Sequence, residues 1–182
     1  MKSITFITGN TAKAQFLSDY LKIPIEHYKL DLTEIQSLDL REVVEDKARR
    51  AYEVLKTPVL VEDASLELKG LNNLPGPFVK WFYEALGNDG LAELAAKLDT
   101  QEAVSKCLFA LYDGTTMTIF RGEMKGKIAD KPSGESGFGF DPIFITEGHE
   151  QTRAEMEKDV WAETSMRTKA LAEMHKFFEN LG

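Results

Sequence analysis

Apolar residues cluster early in the chain, where Ser3–Thr8 (SITFIT) is a β-branched run closed by Gly9-Asn10. A run of this kind ending on a turn signal predicts a buried strand, and a helix is expected after it from about Thr11 to Leu21. Leu40, Val43, Val44, Lys47, Ala48, Ala51, Tyr52 and Leu55 fall at helical spacing. They predict an amphipathic helix that stops before Pro58, because proline restricts the residue ahead of it. Val59-Leu60-Val61 then reads as a second buried strand that delivers Glu62-Asp63 at its end. Strand, helix and strand in this order predict a right-handed crossover unit with its functional loops at one edge of a sheet.

Further along, LNNLPGP (71–77) is turn-rich, and helices are expected from Phe78 to Leu86 and from Asp89 to Leu98. Val104–Tyr112 and Thr116–Arg121 are strand-like and are joined through Asp113-Gly114, a dipeptide that tolerates the positive φ of a hairpin turn. Residues 134–141 form a glycine-rich loop, Pro142–Thr146 reads as a strand, and a final helix is expected from about Ala162 to Asn180. The pattern contains no internal repeat, low-complexity tract or linker.

Composition narrows the function classes. With 182 residues, 43% of them hydrophobic, the chain is expected to form one domain over 1–182. Thirty acidic against 22 basic side chains give a net charge of −8, which opposes general attraction to nucleic acid or anionic lipid. A bound phosphate must therefore meet a local positive cluster. The N-terminus lacks the apolar region of a signal peptide, and no stretch approaches a membrane span. Cys107, the single cysteine, lies in an apolar run. An intrachain disulfide is impossible, and a buried structural thiol in a reducing, cytoplasmic setting is the expectation.

Three segments carry candidate chemistry. Thr8-Gly9-Asn10-Thr11-Ala12-Lys13 lies where a strand gives way to a helix, whose unpaired amides and positive dipole end suit phosphate, with a lysine adding full charge. A Gly-Asn turn followed by a surface lysine accounts for the same residues, and the segment is not a Walker loop. Glu34, Glu62 and Asp63 offer oxygen ligands of the kind magnesium takes, commonly one or two carboxylates beside substrate phosphate. Asp63 stands out among many solvated acids because it follows a buried strand. In Ser136-Gly137-Phe138-Gly139-Phe140-Asp141-Pro142, glycines permit close approach, aromatic rings can cover a planar base, and a carboxylate can accept from base N–H groups. A sharp glycine turn with both phenylalanines in the core is the alternative. Lys47 lies on the apolar stripe of its helix, where it either snorkels past the edge or binds phosphate. Lys80 and Arg167 are surface charges by default. His27, His149 and His175 lack zinc-ligand spacing.

Taken in order, FITGNTAK, VLVEDASLEL with LNNLPGPFVKWF, and SGFGFDPIF resemble the inosine triphosphate pyrophosphatase (Ham1-like) family from residue 3 to about residue 175, with a middle segment similar to the eukaryotic-type branch. The resemblance implies an elongated α/β fold with a central twisted mixed sheet flanked by helices, two lobes and a cleft between them, and a homodimer. It implies hydrolysis of ITP, dITP or XTP to the monophosphate and pyrophosphate, with Mg2+ (or Mn2+) as cofactor. Thr8, Gly9, Asn10 and Lys13 would then hold the phosphate chain, with Thr11 and Ala12 completing that loop, and Lys47 and Lys80 would add charge. Glu34 and Asp63 would hold the metal, Asp63 would direct water, and the Ala64 backbone would adjoin the substrate. Phe138, Gly139, Phe140 and Asp141 would line the base and sugar pocket, with Arg167 contacting the base.

The chain departs from the family pattern at Trp161 and Met166, which stand where a lysine and a histidine are usual. Both usual groups donate hydrogen bonds toward the base, so weaker or shifted base selectivity is expected; Lys158 is a neighbouring side chain able to supply a donor. Two rival functions accompany this reading: a nucleotide-binding sensor without turnover, and a pyrophosphatase for modified pyrimidine nucleotides.

Overall fold

The computed structural model describes residues 4–180, at position 12 the backbone alone. The first strand, β1, covers Ile4–Ile7 and is buried throughout; Ser3, where the sequence pattern begins, lies outside the described residues. Helix α1 spans Thr11–Leu21, as the pattern predicts. It ends at Lys22 in the left-handed region, with φ 53°.

Strand β2 (Ile25–Tyr28) has no counterpart in the sequence reading. It is an outer strand paired in parallel with β1 alone, and Glu26, His27 and Tyr28 are exposed, so no apolar periodicity marks it. Helix α2 (Leu40–Leu55) starts from Asp39, whose carboxylate caps the Arg41 amide at 2.8 Å, and closes on Lys56 at φ 54°. Caps at both ends hold the helix to the limits that its apolar spacing and Pro58 predict.

Strand β3 runs Val59–Leu68, well past the expected stop at Val61. Glu62 and Asp63 therefore lie inside a strand and not at its end. The extension is held by buried Ser65, Leu66 and Leu68 and by antiparallel pairing of Leu66 and Glu67 with the short β4 (Pro75–Gly76). Helix α3 (Val79–Ala96) is broken at Gly87, at φ 65° and ψ −174°, which accounts for the two helices read from the sequence. Only glycine adopts that backbone without strain.

Strands β5 (Glu102–Tyr112) and β6 (Met117–Ile128) are longer than expected. Between them Asp113 accepts from the amides of Thr115 (2.8 Å) and Thr116 (2.7 Å). The strand expected over Pro142–Thr146 is shortened to β7 (Phe144–Thr146), because Asp141–Ile143 coils into a 3-10 turn. The single final helix is replaced by α4 (Lys158–Glu163) and α5 (Met166–Glu179). The interruption at Thr164 is held from two sides: the Arg153 guanidinium binds both the Thr164 carbonyl and its hydroxyl, and Ser165 Oγ accepts from the Thr168 amide at 3.4 Å ahead of α5.

The strand order is β2-β1-β3-β5-β6-β7, with β4 beside β3. β1 is parallel to β2 and to β3, whereas β4 and β7 pair antiparallel with β3 and β6. The sheet is thus mixed, and helices flank it.

The chain forms two compact units. The first takes residues up to Asp63, Cys107–Gly122 and those from Lys169 on; the second takes Ala64–Lys106 and Glu123–Thr168. In the first, Leu40, Val44, Ala48 and Ala51 of α2 pack with Ile7, Val59, Val61, Leu108 and Ala110. In the second, Val79, Leu91, Ala92 and Ala95 of α3 pack with Leu66, Leu68, Ile128, Ile143 and Phe144. No described helix is long and apolar enough to cross a membrane.

Candidate active site

The loop after β1 is shaped by its own polar side chains. Thr8 Oγ1 accepts from the Asn10 amide at 3.0 Å, and Asn10 Oδ1 accepts from the Lys13 amide at 3.1 Å, which makes Asn10 the N-cap of α1. Gly9 sits where an added Cβ would come 3.2 Å from the Lys29 side chain, and Thr11 is an exposed residue of the first helical turn with Ala12 beside it. Lys13 is not simply a surface charge. Its ammonium lies 3.6 Å from Glu62 Oε2, and the Glu62 side chain is only 3% exposed. Cys107 Sγ, fully buried as expected, donates to Glu62 Oε1 at 3.6 Å.

Lys47 does more than snorkel. Its ammonium donates to Glu34 Oε1 at 2.7 Å and to Asp63 Oδ2 at 3.4 Å, so carboxylates from the segment before α2 and from β3 converge on one cation. Burial by itself would pull the Lys47 ammonium down, but the Asp63 charge, with the Glu34 hydrogen bond and charge, raises it above the ordinary lysine value. Ala64 follows Asp63 in β3.

The donor set suits magnesium, whose ligands are oxygens. Two carboxylates that already share a single positive charge can share another. Among the described residues no group of three or more His, Cys, Asp or Glu side chains could hold a metal ion. Magnesium needs no such cage, since water and substrate phosphate complete its shell.

The second unit contains the other candidates. Asp141 is buried, and its carboxylate accepts from Arg153 Nε at 2.8 Å, Trp161 Nε1 at 3.0 Å and the Phe138 amide at 3.1 Å. The expected open acceptor for base N–H groups is instead the hub of an internal network. Phe140 also departs from expectation: it packs against the core beside Phe144, ring centroids 6.2 Å apart. Phe138 is the one that is presented outward, at 50% exposure, with the Trp161 ring 6.3 Å away edge-on and the Arg167 guanidinium 4.8 Å from its centroid.

Gly139 adopts φ 64° and its carbonyl accepts from Asn88 at 3.1 Å. At Gly137, with φ 80°, a Cβ would fall 2.3 Å from Asp141 Oδ2, so glycine is obligatory there. Met166 and Arg167 open α5, Lys158 is the exposed first residue of α4, and Lys80 lies in the first turn of α3 with its ammonium 5.1 Å from the Trp81 ring. Two functional candidates escaped the sequence reading: the tie of Glu62 to Lys13, and Arg153. The latter is 5% exposed, but it sits in the charge-rich stretch EQTRAEMEKD, where nothing separates it from solvated neighbours.

A mixed sheet flanked by helices, with Glu34 and Asp63 bridged by Lys47 and a capped loop after β1, defines an α/β protein. The chain belongs to the Ham1 family, whose model matches residues 4–177. It is 40% identical over 179 residues, 96% of this chain and 91% of the relative, to inosine triphosphate pyrophosphatase 2 of Trypanosoma cruzi (strain CL Brener). It is 38% identical over 183 residues, 97% of this chain and 96% of the relative, to a dITP/XTP pyrophosphatase of Methanopyrus kandleri. Among solved structures, a HAM1 protein from Coxiella burnetii superposes with a TM-score of 0.89 at 26% identity, covering 99% of this chain and 100% of that one.

Proposed function

We propose that the chain hydrolyses nucleoside triphosphates bearing non-standard purines, ITP, dITP and XTP, to the monophosphate and pyrophosphate. The reading is carried by Lys47 joining Glu34 and Asp63. It is supported by relatives named as inosine triphosphate and dITP/XTP pyrophosphatases. Lys13 and Lys47 neutralise the phosphate chain, and the loop Thr8–Ala12 offers it the amides left open once Thr8 Oγ1 and Asn10 Oδ1 have taken those of Asn10 and Lys13. Asp63 orients a water and takes its proton as the water oxygen attacks the α-phosphorus. The bond from that phosphorus to the bridging oxygen breaks, and pyrophosphate leaves with the electron pair. Glu34 and Asp63 would hold Mg2+ or Mn2+, which when bound supplies further charge neutralisation on the leaving group. Phe138 offers its exposed face to the base, with Arg167 behind it and Gly139 leaving the approach open.

Because the Trp161 N–H is engaged by Asp141, we propose that selectivity over ordinary purines is weaker than a lysine at this position would confer. A homodimer in a reducing cytosolic compartment is the assembly and setting that accord with this reading.

Pyrophosphate release assayed with Mg2+ across ITP, dITP, XTP, ATP, GTP and modified pyrimidine triphosphates tests the proposal. The deaminated purines should turn over fastest, by a modest margin. In Asp63→Asn the rate should fall by a factor of about 10²–10⁴, the usual contribution of a positioned base, while nucleotide binding persists. Binding without release from any triphosphate would favour the sensor, and preference for a modified pyrimidine would replace the substrate class.

A further inference from the structure

The roles given above leave one buried acid unused. Glu62 lies in β3 with its side chain 3% exposed, one oxygen 3.6 Å from the Lys13 ammonium and the other accepting from the fully buried Cys107 thiol at 3.6 Å. A strand-borne carboxylate has little freedom, and a thiol from β5 further fixes its rotation. Lysine, by contrast, loses roughly 2 kcal/mol of rotamer freedom when it is pinned. A side chain that is held in place before its ligand arrives has met that cost already.

We infer that Glu62 is a positioning residue that acts through Lys13, and that Cys107 orients it. The inference rests on the reading that Lys13 serves phosphate, and it deepens that reading. Glu62, buried in β3, is assigned no direct part in binding phosphate or directing water. It confines the Lys13 ammonium to the side of α1 that faces β3, and Cys107 limits how far the carboxylate can turn. The buried cysteine thus gains a purpose beyond filling the core. A contribution made only through Lys13 must vanish when Lys13 is absent, which a general packing role would not do.

The probe is inorganic tripolyphosphate, which carries no base and is not the proposed substrate. Its affinity is measured by calorimetry at fixed ionic strength for the wild-type chain, Glu62→Gln, Lys13→Met and the double variant, with melting curves run alongside. Glu62→Gln and Lys13→Met should each weaken binding about tenfold, the scale of a charge-assisted contact, and the double variant should be no weaker than Lys13→Met alone. Cys107→Ala retains the carboxylate and should weaken binding about threefold, only in chains that retain Lys13. This second cycle decides the matter if Glu62→Gln does not fold. Losses that multiply in the double variants, unchanged affinity in the single ones, or no tripolyphosphate binding by the wild type would each overturn the inference. Coupled cycles in a chain that hydrolyses no triphosphate would sink the proposed reaction and leave the positioning role standing. Active hydrolysis with uncoupled cycles would do the reverse.

Discussion

Lys47 shows how one residue changes meaning between sequence and structure. Its place on the apolar stripe of α2 raises two options, snorkelling and phosphate binding, and the structure adds a third, a bridge between Glu34 and Asp63. That bridge joins residues far apart in the chain, so helical spacing alone does not reveal it. Lys47 and Asp63 are 18% and 23% exposed and Glu34 is 49% exposed, so water discounts the Glu34 half toward the value of a surface pair. Lys47→Met should cost about 1 kcal/mol in metal-free protein, read by urea denaturation. It should also leave two carboxylates facing each other, and added Mg2+ should recover more stability in the variant than in the wild type. The sign with pH follows from the direction of the shift. The folded-state ammonium titrates above the ordinary 10.5, so its contribution is complete below that value and is lost as pH rises through the folded value. The stability gap between wild type and variant should therefore stay level through neutral pH and close only in strong alkali.

At the scale of elements, what could be read was what the local sequence controls. Asn10 and Asp39 cap α1 and α2, and both helices begin where their patterns begin. β2 was not readable because its outward residues are polar on both faces, and its partner β1 is supplied by the fold. The α4–α5 interruption was hidden for a different reason. Thr164 is an ordinary helix interior residue by spacing, and the buried guanidinium of Arg153, bound to its carbonyl and hydroxyl, acts beside the Ser165 cap where the helix breaks. The same guanidinium pairs with Asp141, and these side chains are 6% and 8% exposed. Removing one member of such a pair leaves the other charge buried, at about 3–5 kcal/mol. Arg153→Met should lower stability by that amount in urea unfolding. A double change to Arg153→Met with Asp141→Asn should cost less than the two single changes summed. An Arg153→Met chain within about 0.5 kcal/mol of wild type would show that the pair does not hold this segment.

At the scale of the whole molecule, length suggests one domain, but composition has no way to register that β3, β5 and β6 each supply residues to both compact units. Most functional candidates divide with the units: Lys13, Glu34, Lys47 and Asp63 belong to the first, Phe138, Asp141, Trp161 and Arg167 to the second, which also holds Lys80. On the proposed function, in a chain of net charge −8, a polyanion would draw on the lysines of the first set for local attraction and a neutral base on the second for stacking. The two halves of a nucleotide can therefore be assayed apart. The chain has 2 tryptophans, and Trp81 is 61% exposed, so Trp81→Phe leaves Trp161 as the sole indole and keeps an aromatic face for Lys80. In that protein inosine monophosphate should quench the Trp161 emission, because Phe138 lies 6.3 Å from the indole ring. Inorganic tripolyphosphate should leave the emission unchanged while still binding by calorimetry. Stacking on an aromatic side chain contributes roughly 1–3 kcal/mol per base, so Phe138→Ala should weaken the monophosphate about tenfold or more and leave tripolyphosphate affinity intact. An indole that answers to tripolyphosphate but not to the monophosphate would show that Phe138 and Trp161 do not read the base, and the base would have to be sought among other residues of the chain.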